Sequence, residues 1–253
     1  MSFIGFYTLL RKEIDRFFIV MHSTLTPAII SAVLYILIFG YSIGKELKSI
    51  DGVSYLEFIV PGLVMMQIIG SAYSNTSSSL FMARRFQHIK DVLASPLSYF
   101  EMVLAITLGG VIRGMIVGIL ILIVALFLVK FSIINIFLIL YYFIMVNFIF
   151  SSFGIIVGLL AEEFEHMNLF TTYLITPFTF LGGVFYSIEM LPEFFQKLSL
   201  FNPILYMVDG LRYGMLGIHD TNLIFSFFLV LILAIVLFLI TVYMFNKGWK
   251  LRT

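Results

Sequence analysis

Six long apolar runs dominate this chain, at residues 25–43, 58–81, 102–129, 133–160, 169–188 and 223–245. A helix rising about 1.5 Å per residue needs about 20 such residues to cross the hydrocarbon of a bilayer. In that medium every backbone N–H and C=O must be satisfied internally, so only helices and closed barrels cross it. None of the runs shows the two-residue alternation of a barrel strand. The expected fold is therefore an all-α integral membrane protein, a single domain over residues 1–253 with six transmembrane helices. Composition agrees: 61% of residues are hydrophobic and 11% charged. Too few charges are present to cover a soluble fold, where they belong outside.

Several function classes fall away. A net charge of +1 provides no basic field for nucleic acid. With no cysteine there is no disulfide framework, thiol nucleophile or thiolate metal site. The four histidines, His22, His88, His166 and His219, have no metal-ligand spacing among them. No phosphate-binding glycine loop is present: Gly44-Lys45 is followed by Glu46. The first apolar run lacks a small-residue cleavage pattern after it and reads as a retained helix.

Six spans put both termini on one side. Basic residues cluster at Arg11, Lys12 and Arg16, at Arg84, Arg85 and Lys90, and at Lys247, Lys250 and Arg252. The opposite side carries Lys45, Lys48, Lys130, Lys197 and Arg212. The positive-inside rule then predicts cytoplasmic N- and C-termini.

The segments outside and within the spans have characters of their own. Over residues 1–22, Phe3, Phe6, Tyr7, Leu10, Ile14, Phe17 and Phe18 form one helical stripe, which predicts an amphipathic helix in the membrane interface. It reads either as an anchor or as a lever joined to the first span near Pro27. Small residues recur at four-residue spacing: Gly110, Gly114 and Gly118, then Ser151, Gly154 and Gly158, and also Gly70, Ser74 and Ser78. Such ridges allow close helix packing, or a sliding surface. The second span carries a polar run containing Ser71, Ser74, Asn75 and Ser78, which is either a translocation surface or interhelical glue. Arg113 is the one basic residue well inside a span, and it either snorkels to the interface or acts within the bundle; snorkelling is the simpler expectation.

The loop 82–100 is expected to form a short helix opened by Arg84 and Arg85, with Phe86, Ile89, Val92 and Leu93 on its apolar stripe. It either lies on lipid or docks a partner. Between the last two spans, 189–217 is too apolar for a loop in water. Leu191-Pro192-Glu193 and Asn202-Pro203 read as two helix starts, and Gly217 as a stop. Two helices too short to span predict an outer re-entrant or interfacial hairpin, with Asp209 and Arg212 able to pair.

Four stretches together resemble the ABC-2 type transport permeases. They are Phe58-Ile-Val-Pro61-Gly62-Leu-Val-Met-Met66, the loop from Ala83-Arg84-Arg85-Phe86-Gln87 to Leu93-Ala94-Ser95-Pro96, Gly109-Gly110-Val-Ile-Arg113-Gly114, and Leu181-Gly182-Gly183-Val-Phe185-Tyr186-Ser187 followed by Asn202-Pro203, Tyr206 and Arg212-Tyr213-Gly214. The resemblance spans nearly the whole chain and implies the permease subunit of an ATP-driven exporter in a bacterial inner membrane. It implies a dimer of permeases, identical or closely paralogous, working with separate ATP-binding subunits. ATP and magnesium would be held by that partner, leaving no cofactor and no enzymatic site here. Arg84, Arg85, Phe86, His88, Ile89 and Asp91 would form the coupling element, and the N-terminal helix would also face the ATPase. Asn202, Pro203, Tyr206 and Arg212 would belong to a hairpin shaping the exit. The resemblance also moves Arg113 toward a structural or gating role. The acidic loop Glu162-Glu163-Phe-Glu165 departs from the family pattern. The competing reading is an ion-coupled secondary transporter, which usually shows mid-membrane carboxylates and internal repeats. Neither is evident in this sequence.

Overall fold

One helix, α3 (Tyr55–Arg85), runs unbroken for 31 residues through the centre of the molecule. It is buried along most of its length, so the other elements are best placed by how they pack on it. The computed structural model describes residues 3–42, 49–50, 52–129, 131 and 133–250. Ile43, Gly44, Lys45, Glu46, Lys48, Lys130 and Arg252, on which some of the sequence expectations rest, lie outside the described residues.

The chain opens with α1 (Phe3–Ile19) and α2 (Met21–Ser42). A two-residue antiparallel ribbon follows, β1 (Ser49–Ile50) with β2 (Val53–Ser54), in register Ser49 with Ser54. It is a small departure from an all-α reading. Ser54 then caps α3 by accepting from the Glu57 backbone N–H. After α3 come α4 (Ile89–Ala94), α5 (Tyr99–Leu128) and α6 (Ile136–Leu160). Ser98 and Glu101 form a reciprocal capping box at the start of α5, and Asn135 caps α6. The remaining helices are α7 (Phe164–Phe170), α8 (Thr176–Phe180), α9 (Glu193–Leu200), α10 (Pro203–Leu216) and α11 (Leu223–Asn246).

α3, α5 and α6 form the core of the bundle because their small residues let the backbones meet. A side chain at Gly154 would strike the Tyr73 carbonyl, and one at Gly158 the Ser77 carbonyl, both on α3. Gly110 faces Thr76 and Ser151, and Gly114 faces Asn147. These are tight interfaces of the kind that replace hydrophobic drive in lipid. Gly70 is different: nothing approaches its missing side chain, and Ser74 beside it is exposed. Among the described residues nothing packs closely on the Gly70–Ser74 part of that third ridge.

Five helices among the described residues are long and apolar enough to cross a membrane: α2, α3, α5, α6 and α11. The run expected at 169–188 is not one of them. Its helical part starts earlier, at Phe164, and ends at Phe180, with a π-helical turn at Thr171–Ile175 between α7 and α8. The helix ends where the chain turns toward Gly183, whose φ is 72°, and Pro177 accounts for the π turn. Proline has no N–H, so the Tyr173 carbonyl loses its usual donor and the ladder widens locally. The Thr176 N–H bonds the Thr171 carbonyl, five residues back. Residues 181–187 are turns, not helix.

Candidate functional site

Midway along α5, Arg113 turns inward instead of snorkelling. Its side chain lies against α3, where Nε donates to Ser71 Oγ at 3.3 Å and Nη1 to Asn75 Oδ1 at 3.2 Å. The guanidinium also lies over the Phe17 ring, 5.7 Å from its centroid. With acceptors and an aromatic face at hand, it gains nothing by reaching for the interface. It is 9% exposed.

Phe17 brings α1 into the same cluster. Leu9, Glu13 and Phe17 are the buried face of α1, spaced by four residues. The apolar stripe picked out in the sequence is split: Phe3, Tyr7 and Phe18 are exposed, Phe6, Leu10 and Ile14 are half-buried, and Phe17 is buried. α1 crosses α5 at Gly109, which faces the Glu13 side chain at close range. Glu13 is 2% exposed. Its carboxylate accepts from Ser79 Oγ at 2.7 Å and lies 3.3 Å from Arg16. Arg16 donates onward to the Asn75 backbone carbonyl at 2.8 Å and to its Oδ1 at 2.9 Å. One network thus joins α1, α3 and α5. Glu13 and Arg16 were missed as members of it; the four-residue spacing through Leu9, Glu13 and Phe17 is the signal that could have found them.

Beside this network a cleft of about 300 Å³ opens between α2, α3 and α5. Ser71, Ser74, Gly70 and Arg113 line it, facing Ser23, Thr24 and Ser31 of α2. Part of the polar run on α3 is therefore the wall of a cleft. Asn75 and Ser71 are buried at its edge, Ser74 is exposed and Ser78 half-buried.

At the far end of α3 the expected coupling residues divide. Arg84 and Arg85 finish α3 and do not open the next helix. The chain turns through Gln87, whose φ of 61° lies in the left-handed region, and α4 begins at Ile89. Arg84 faces inward: its Nη1 donates to the carbonyls of Gly158 at 2.9 Å, Leu159 at 2.6 Å and Ala161 at 3.1 Å. Its Nε donates to the Lys250 carbonyl at 2.9 Å. It closes the C-terminus of α6, whose last carbonyls have no helical partner. Lys250 Nζ completes the junction at 2.6 Å from Glu162. That hydrogen bond, with the positive charge behind it, holds the Glu162 carboxyl below its ordinary range. Arg85, Phe86, His88 and Asp91 are exposed, while Ile89 is buried and anchors α4. Between α1 and α4 runs a largely apolar groove of about 580 Å³, with Lys12, His88 and Asp91 among its lining residues.

The α9–α10 pair forms near the start of α3. Asn202 caps α10 by accepting from the Ile204 N–H at 3.0 Å, and its amide donates to the Phe178 carbonyl. Pro203 occupies the first turn, Tyr206 Oη donates to the Leu200 carbonyl at 2.8 Å, and α10 ends at Gly217 with φ 76°. Arg212 and Asp209 are fully buried and 3.9 Å apart. Arg212 lies over the Phe58 ring at 3.9 Å and donates to the Gly183 carbonyl. Asp209 accepts from the backbone N–H groups of Asp220 and Thr221, each at 2.8 Å. These side chains hold the pair to the bundle. The outward apolar surface belongs to α9 and the turn after it, where Phe194 and Phe201 are exposed. Among the described residues no cluster of His, Asp or Glu could hold a metal ion.

The sequence family described as ABC-2 type transporter matches residues 5–216. The chain belongs to that family. The match takes in α1, the central bundle and the α9–α10 pair, so this ABC-2 chain is a transmembrane subunit of an ABC transporter. It is 39% identical over 242 residues to the inner membrane transport permease YadH of Escherichia coli K12, covering 96% of this chain and 94% of that one. It is 26% identical over 210 residues to nodulation protein J of Rhizobium leguminosarum bv. viciae, covering 83% and 81%. With five helices among the described residues able to cross a bilayer, the ABC-2 chain is a multi-pass inner-membrane permease.

Proposed function

We propose that this permease is the membrane half of an ATP-driven exporter, paired with a second copy or close paralogue and docked on separate ATP-binding subunits. The observation that carries the reading is α4. It is a short helix held by one buried residue, Ile89, and with the last residue of α3 and the turn between them it leaves Arg85, His88 and Asp91 exposed together. The neighbouring groove against α1 offers an apolar seat with charged edges, which suits a partner's surface element. In this arrangement ATP and magnesium are bound and used in the partner chain.

The orientation that goes with it has α1, α4 and both termini in the cytoplasm and the α9–α10 pair at the outer face as a re-entrant hairpin. Residues 164–180 then make the sixth crossing. They are about 25 Å long at 1.5 Å per residue, and turns and hairpin complete the passage. The three buried carboxylates do not favour an ion-coupled carrier, and Glu101 is tied up in the capping box by the Ser98 N–H and hydroxyl. Glu13 is engaged by Arg16 and Ser79, and Asp209 by backbone donors.

The test is co-purification with the ATP-binding subunit and its ATP hydrolysis in liposomes. Replacing Arg85 by Glu together with Asp91 by Lys should abolish permease-stimulated hydrolysis while thermal unfolding of the permease stays unchanged. Transport by this chain alone, driven by an ion gradient, would overturn the reading.

A further inference from the structure

The cleft beside Arg113 is a cationic site that lacks an anion of its own. Arg113 sits midway along the 30-residue α5 and spends its observed hydrogen bonds on neutral oxygens, those of Ser71 and Asn75. Among the described residues no carboxylate forms an ion pair with it. The carboxylate of the same network, Glu13, is taken by Arg16 and Ser79. Two cations and one carboxylate leave one positive charge uncompensated inside the bundle. Asn75 Nδ2 adds a buried donor without a partner. Isolated buried charge is strongly disfavoured, and an arginine inside a membrane ordinarily faces a counter-charge or a water-filled cavity.

The cleft is built to accept one. Among the described residues no acidic side chain lines it; hydroxyls do, from Ser23, Thr24, Ser31 and Ser74, together with the Gln67 amide. Its volume, about 300 Å³, suits a headgroup-sized moiety and not a whole lipid. We propose that this cleft binds an anionic group, a phosphate or a carboxylate, with Arg113 as counter-charge, the Ser31 hydroxyl and Gln67 amide as donors, and the Ser23, Thr24 and Ser74 hydroxyls turning to it from the Val20 and Ser71 carbonyls to which they donate in its absence. As a statement about cargo this rests on the permease reading; as a statement about binding it concerns the chain alone.

The binding is measured on the purified full chain in phosphatidylcholine nanodiscs. The probes are dihexanoyl phosphatidic acid, octanoate, inorganic phosphate and uncharged dihexanoyl glycerol. At least one anion should bind and raise the unfolding temperature, and the glycerol should do neither. Arg113→Gln should weaken that binding at least tenfold. Ser74→Asp, which places a carboxylate on an exposed part of the cleft wall, should do the same, whereas Ser74→Asn should not. The Ser74 pair carries the test if Arg113→Gln does not fold. Phosphatidic acid or octanoate binding more tightly than inorganic phosphate assigns the anion to an amphiphile; equal binding assigns a free anion. Binding of dihexanoyl glycerol as tightly as the anions, no anion binding at all, or anion binding indifferent to Ser74→Asp would overturn the site. Loss of ATP-driven transport in the wild type with anion binding intact would sink the exporter reading and leave the site standing.

Discussion

A single arginine closes the end of α6. Three carbonyls there, at Gly158, Leu159 and Ala161, converge on Arg84 Nη1. Arg84→Ala should cost on the order of 2 kcal/mol, the scale of bonds to a charged donor. Thermal unfolding in detergent measures it. Arg84→Lys should recover only part, since an ammonium cannot reproduce the planar fork. A second contrast separates packed from unpacked glycines. Gly114→Ala drives a methyl into Asn147, which is buried and already donates to the Phe143 carbonyl at 2.7 Å. The expected loss is about 1–3 kcal/mol. Gly70→Ala meets open space and should gain up to about 1 kcal/mol from helix propensity. If both variants unfold at the wild-type temperature, the close packing of α5 on α6 is not as described. At this scale the sequence was only partly legible. It showed that Arg113 is deep, because depth follows from counting residues. It did not show which way the side chain points, because that depends on Ser71, Asn75 and Phe17 arriving from two other helices.

Elements were read well where an apolar run was continuous and badly where the backbone ladder changes. α2, α3, α5, α6 and α11 follow the expected runs within a few residues, since length and hydropathy alone specify a crossing helix. The run at 169–188 has the same composition, yet a π turn precedes Pro177 and the backbone leaves the helix after Phe180 through a turn with Gly183 at φ 72°. Arg84 and Arg85 were assigned to the wrong helix for a related reason. Nothing in the composition marks Gln87 as the turning point, because residues other than glycine seldom adopt positive φ. The Glu162–Lys250 tie offers a pH test at this scale. The Glu162 carboxyl is held below its ordinary range by the hydrogen bond from Lys250 and its charge. Its stabilisation is therefore fully present above the ordinary carboxylate range and is lost as pH falls through the lowered value. The sole tryptophan, Trp249, adjoins Lys250. Its fluorescence should shift on acidification, and Glu162→Gln should remove that shift. An unchanged acid transition in the variant would rule out Glu162 as its source.

For the whole molecule, absence of cysteine makes the topology directly measurable. A cysteine placed at Gln196, on α9, should react with an impermeant thiol reagent from the outer side of cells. One placed at His88, beside α4, should react only after the membrane is opened. The reverse pattern would invert the proposed orientation. The membrane class was legible because burial in lipid leaves its mark on every span. The α1–α3–α5 network was not, since it depends on where separate helices cross.

The continuity of α3 has a mechanical consequence. Its 31 residues span about 46 Å at 1.5 Å per residue. One end leads into α4, and the other lies under the Arg212 guanidinium through Phe58. Over a shaft of that length, a tilt of about 5° pivoting at one end swings the opposite end by about 4 Å. If the proposed coupling delivers a small stroke at α4, it would thus be geared into a displacement of atomic size where α10 sits, with a single proline along the shaft, Pro61, close to that far end.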